Sequence, residues 1–136
     1  MISNLIKSAD WKAEKHVPVI TLLSPFKPNE PVEVEVSVGK EIPHPNTVEH
    51  HIAWIALYYA PTDRSPLPVT SSPIPVELAR ADFSAHGPDI FTEPVLKAKV
   101  RLPPTPTSNS NSIGTLHAVA YCNLHGLWES EMQITM

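Results

Sequence analysis

A chain of 136 residues, 42% hydrophobic and 18% charged, can bury one core and reads as one domain over 1–136. Its formal net charge of −4 argues against nucleic acid as a partner, because phosphate binding needs a clustered basic face. No apolar run approaches the ~20 residues of a membrane helix, and the opening MISNLIKSADWK lacks the apolar stretch and cleavage site of a signal peptide, so the expectation is a cytoplasmic protein.

Sixteen prolines argue against helices and for short strands joined by proline-containing loops. In chain order, SADWKAEK forms one helical turn at most. HVPVITLL, over 16–23, is the first strand. EPVEVEVSVG alternates strictly, with Val32, Val34, Val36 and Val38 on one face and Glu33, Glu35 and Ser37 on the other. HHIAWIALYYA, over 50–60, is apolar on both faces, which marks a central strand or one whose second face meets another subunit. IPVELARADF is a further strand, and VLKAKVRL again alternates, with Lys97, Lys99 and Arg101 outward. TLHAVAYC and LWESEMQITM close the series around the tight turn NLHG. Proline-, serine- and asparagine-rich loops are expected over 60–73 and 103–114. The fold class is all-β, an immunoglobulin-like antiparallel sandwich of about seven strands.

Seven histidines and one cysteine are the residues that carry chemistry. His16 (EKHVP), His44 (PHPN), His50 at the head of its strand and His125 (CNLHG) all sit at strand ends, and Cys122 lies three residues before His125. His51 is adjacent to His50 and, on a strand, points to the opposite face. His117 falls in mid-strand, and His86 in AHGP has no partner nearby in sequence. A Cys-x-x-His pair suits zinc, copper or iron. Four imidazoles and a thiolate are too many for a closed zinc tetrahedron but fit a square pyramid with one open position. Cys122, His125 and Met132 with one upstream histidine also follow the order of a blue-copper electron-transfer site. Met132, however, falls within an alternating strand, and that reading leaves EKHVP and HPNTVEHH unused.

The blocks SADWKAEKHVPVI, VGKEIPHPNTVEHHIAWI, FSAHG, FTEP and YCNLHGLWE together resemble the superoxide reductase family in its small neelaredoxin form, from the first residues to about Glu131. The resemblance implies an immunoglobulin-like sandwich and a mononuclear iron cycling between Fe2+ and Fe3+. It implies four equatorial ligands, His16, His44, His50 and His125, and an axial thiolate, Cys122. Glu14 and Lys15 would flank the open position as the catalytic pair. The extra four-cysteine iron site of larger members is absent, since this chain has one cysteine. The implied reaction is one-electron reduction of superoxide to hydrogen peroxide, fed by an external donor such as rubredoxin, in a homo-oligomer that is often a tetramer.

Overall fold

The computed structural model describes residues 1–61, 74–102 and 112–135. Among these residues seven strands are present: β1 (Val19–Leu22), β2 (Pro31–Ser37), β3 (Ile52–Pro61), β4 (Val76–Asp82), β5 (Val95–Arg101), β6 (Ser112–Cys122) and β7 (Gly126–Thr135). They form two antiparallel sheets, ordered β1-β2-β5 and β4-β3-β6-β7. This is the expected all-β sandwich, with β4 paired to β3 rather than joined to the three-stranded sheet as in an immunoglobulin constant domain. Among the described residues, helical structure is limited to the 3-10 turn Ile2–Asn4 and a turn in which the Ala13 and Glu14 amides donate to the Asp10 carbonyl.

The alternation in β2 and β5 sets their register. Val32, Val34 and Val36 face Val100, Ala98 and Leu96 on the core side. On the outer side Glu33 meets Lys99 at 4.0 Å and Glu35 meets Lys97 at 3.9 Å. A one-residue slip would expose the valines and bury the charges, so the pattern admits one pairing. The facing sheet supplies Ile52, Ile55, Leu57 and Tyr59 from β3, and Ile113, Leu116, Ala118, Ala120 and Cys122 from β6.

β3 is indeed central, between β4 and β6. Its two apolar faces have two causes. A register shift between Ile52 and Trp54 changes which residues point inward. On the outer face Trp54 stacks on Tyr121 at 5.9 Å and lies under the Arg80 guanidinium at 4.5 Å. Two loop boundaries differ from expectation. Residues 60–61 belong to β3 and 112–114 to β6, because β3 and β6 pair as far as Pro61↔Gly114. The remainder of those loops, 62–73 and 103–111, lies outside the described residues.

Candidate metal centre

Four chain segments meet at one end of the sandwich. His16 stands just before β1, behind the Asp10 turn, and is 6% exposed. His44 lies between Pro43 and Pro45 in the loop that leaves β2. That loop doubles back at Gly39, whose φ of 85° suits glycine and where a Cβ would sit 2.7 Å from the His44 amide nitrogen. The sequence reading passed over Gly39; its signal is a glycine directly after an alternating strand. His50 lies in the loop before β3, and Cys122 ends β6. Residues 123–125 form a three-residue hairpin loop closed by Gly126 at φ 81°, which turns His125 back beside Cys122, with Nδ1 3.7 Å from Sγ.

Asn123 holds two of these segments together and was also missed from sequence. Its Oδ1 accepts from the His51 amide at 2.8 Å, its Nδ2 donates to the Glu49 carbonyl at 3.0 Å, and its amide donates to the His51 carbonyl at 3.1 Å. Its only sequence cue is its place between Cys122 and His125.

The ligand atoms of His16, His50, Cys122 and His125 all lie within 4.8 Å of one another. His125 Nδ1 is 3.0 Å from His16 Nε2 and 3.1 Å from His50 Nε2. Two imidazole nitrogens sharing one metal ion at a right angle, each ~2.1 Å from it, stand about that far apart. His44 lies outside that group of four, but its ring abuts both His16 and His50. Ring centroids run 4.8 Å from His16 to His44, 4.5 Å to His50, 4.8 Å to His125 and 4.7 Å back to His16, against 5.9 Å across the His16–His50 diagonal. The four rings thus form a closed square, each nearly perpendicular to its neighbours.

The tautomers show what the square is built to hold. His44 Nδ1 is 2.6 Å from the Pro45 carbonyl, which only accepts, so Nδ1 carries the proton and Nε2 a lone pair. That Nε2 is buried and, among the described residues, has no hydrogen-bond partner. His16 Nδ1 is 2.6 Å from Glu14 Oε1, so its proton is committed there and Nε2 also faces inward as a lone pair. A transition-metal ion at the centre would satisfy the His44 lone pair and take the other three rings as ligands with it.

Burial is the main cause pushing the His44 pKa down to about 4, helped by charge at His16, His50 and Lys15. His50 is lowered too, again chiefly by burial, with charge at His125, His16 and Lys15 adding. Both rings are therefore neutral at pH 7, as metal ligation requires. In the metal-free chain an unfolded His44 binds its proton near pH 6.5 and the folded one near 4, so stability present above pH 6.5 is lost as pH falls toward 4. Urea unfolding of metal-free protein is expected to show a loss of about 3 kcal/mol across that window, and His44→Gln should flatten it. An equal slope in the variant would assign the loss elsewhere.

The chain matches the family model described as Desulfoferrodoxin over residues 8–131. It is 46% identical over 138 residues to the superoxide reductase of Pyrococcus abyssi, covering 98% of this chain and 99% of that protein. The chain belongs to the superoxide reductase family. Neelaredoxin of Megalodesulfovibrio gigas is 34% identical over 141 residues, covering 98% of this chain and 96% of that one. The superoxide reductase (neelaredoxin) of Archaeoglobus fulgidus in its reduced form superposes with a TM-score of 0.75 at 42% identity, over 97% of this chain and 99% of that one.

Within this superoxide reductase fold the remaining candidates fall as follows. Glu14 is turned onto the His16 ring, and that hydrogen bond, opposed by burial, holds its carboxyl below the usual range. Lys15 is close enough for its charge to act on His44 and His50. His51 turns its Nδ1 to the Thr47 carbonyl at 3.0 Å, and His117 lies 3.7 Å from Glu131 on β7. His86 forms an isolated bridge with Thr47. Met132 pairs with Leu116, six residues along β6 from Cys122 and so roughly 20 Å away, which removes the blue-copper ligand set.

Proposed function

We propose that the chain reduces superoxide to hydrogen peroxide, consuming one electron and two protons per superoxide and releasing no oxygen. The observation that carries the reading is the square of four imidazoles with the Cys122 thiol beside it, in a chain of this family. His16, His44 and His50 through Nε2, His125 through Nδ1 and Cys122 through Sγ would hold a mononuclear iron, which when bound would supply one-electron chemistry between Fe2+ and Fe3+. Neutral imidazole ligands would leave the charge of a bound cation uncancelled, so the loaded site would attract an anion. Cys122 is fully buried, and as a ligand it would contribute thiolate electron density shielded from hydrogen bonding by water. Glu14 holds the Nδ1 proton of His16 and so fixes where Nε2 points. An external one-electron donor such as rubredoxin would restore the reduced state.

The same reading takes residues 1–136 as one functional domain in the cytoplasm; among the described residues no helix is long and apolar enough to cross a membrane. It includes a homotetramer, supported by the aromatic outer face of Trp54, Tyr58 and Tyr121 and tested by sedimentation. The deciding assay supplies superoxide and a reductant to iron-loaded protein and measures both products. One peroxide per superoxide without oxygen supports the reading; half a peroxide with oxygen evolution would mean dismutation.

Lys15→Ala should slow superoxide capture about tenfold and flatten its dependence on ionic strength. Two unit charges ~6 Å apart interact by roughly 3 kcal/mol at an effective dielectric of ~20, and screening with side-chain motion cuts this to about 1–2 kcal/mol. The chain's net −4 opposes the substrate, so local charge must compensate. Stopped-flow rates against salt check this; an unchanged slope removes Lys15 from the capture step.

Glu14→Ala should leave the reduced protein's reaction with superoxide nearly unchanged while shifting the visible band of the oxidised form. Both a carboxylate that approaches oxidised iron and the loss of the His16 partner predict that shift. An identical oxidised spectrum across pH would dissociate Glu14 from the centre.

A further inference from the structure

Trp128 touches two of the ligand histidines at once. Its indole stacks on the His16 ring at 5.0 Å with planes 15° apart, and its Nε1 donates to the His125 carbonyl at 3.2 Å. The side chain is itself 8% exposed and sits two residues past Gly126, opposite Ala120 in the β6–β7 pairing. The segment before β1 holds that position from outside the sheet. The Lys7 amide donates to the Leu127 carbonyl at 3.1 Å, the Glu129 amide donates to the Lys7 carbonyl at 2.8 Å, and Lys7 Nζ lies over the indole, 5.6 Å from its centroid.

Each contact removes a motion that would spoil ligation. Glu14 fixes one edge of the His16 ring, and the stack restrains rotation about the remaining bond, so Nε2 keeps its aim. The carbonyl that receives the indole N–H belongs to the residue that offers Nδ1, the atom nearest His16 Nε2, His50 Nε2 and Cys122 Sγ. His16 and His125 are far apart in sequence, and one rigid bicyclic ring spans them.

We propose that Trp128 is a positioning residue of the metal centre: its indole holds His16 and His125 in ligating geometry, and pairing of the N-terminal segment at Lys7 with β7 holds the indole. This rests on the metal-centre reading above and adds to it a residue that ligates nothing. Outer groups of this kind typically alter metal affinity ten- to a hundredfold.

The test uses full-length protein stripped of metal and titrated with Co2+ against a competing chelator, reading affinity, the thiolate-to-cobalt band and the ligand-field bands. Trp128→Leu, which loses stack and donor, should bind Co2+ about ten- to a hundredfold more weakly, with shifted ligand-field bands. Trp128→Phe keeps a ring but no N–H and should fall between it and the wild type. Lys7→Pro, which removes the amide that pairs with β7, should shift the bands in the same direction. If Trp128→Leu fails to fold, Trp128→Phe decides. A structural role alone would lower the melting temperature of the metal-free variants and leave cobalt affinity and spectrum unmoved; that result overturns the inference. A wild-type chain that takes up no cobalt would overturn the metal centre itself, and this inference with it.

Discussion

Cys122→Ser is expected to abolish the thiolate-to-iron charge-transfer band of the oxidised protein and to end superoxide reduction while leaving the sandwich folded. Cys122 is the last residue of β6, is fully buried, and among the described residues is the only sulfur in the ligand group. Serine is close in size, so packing in the core cluster loses little, but a neutral hydroxyl is a poor metal ligand and supplies no comparable electron density. Loss of groups that merely support a ligand already weakens metal binding ten- to a hundredfold, so loss of the ligand itself should exceed about a hundredfold. Circular dichroism and iron content, measured together, separate folding from ligation. A variant that keeps the visible band would show that the thiolate is not on the metal.

His50→Ala is expected to lose most of its iron, whereas His51→Ala and His117→Ala keep about one iron per chain. His50 Nε2 is 3.1 Å from His125 Nδ1 and faces the centre of the square. His51, its neighbour, spends its ring nitrogen on the Thr47 carbonyl. Losing that bond should cost about 1 kcal/mol of stability and little metal. His117 stands on the outer face of the sheet, beside Glu131. Iron analysis after dialysis against a chelator checks all three. Equal loss in the His50 and His51 variants would remove the assignment of His50 as a ligand.

The contrast between these two histidines shows where sequence reasoning reaches its end. Strand parity predicts that His50 and His51 point apart, and they do, but β3 begins at Ile52 and both residues precede it. Their divergence comes from a local turn, in which the Thr47 and His50 main chains bond to each other at 2.9 and 3.2 Å while Asn123 takes the His51 amide. Glu14 is a second example. Its place beside Lys15 and His16 was legible, but its bond to Nδ1 of His16 depends on the fold of the Asp10 turn.

The sequence by itself determined the strands, the register of the β2–β5 ladder and the chemical inventory of the site. Period-two alternation commits each valine of EVEVEV to one face, and the complementary charges of EVEV and KAKV select the pairing. Local spacing also brought Cys122 and His125 together, since a three-residue loop ending in a left-handed glycine leaves them few alternatives. The tertiary structure alone decided the rest: that β4 pairs with β3, that His16 meets His125 across 109 residues, and that His44 keeps a buried lone pair with no partner among the described residues. It also decided that Trp128 packs on His16. The physical reason is that periodicity encodes which way a side chain faces along its own strand. Which loops converge at the end of a sandwich is set by the crossings between sheets, and no local pattern records those.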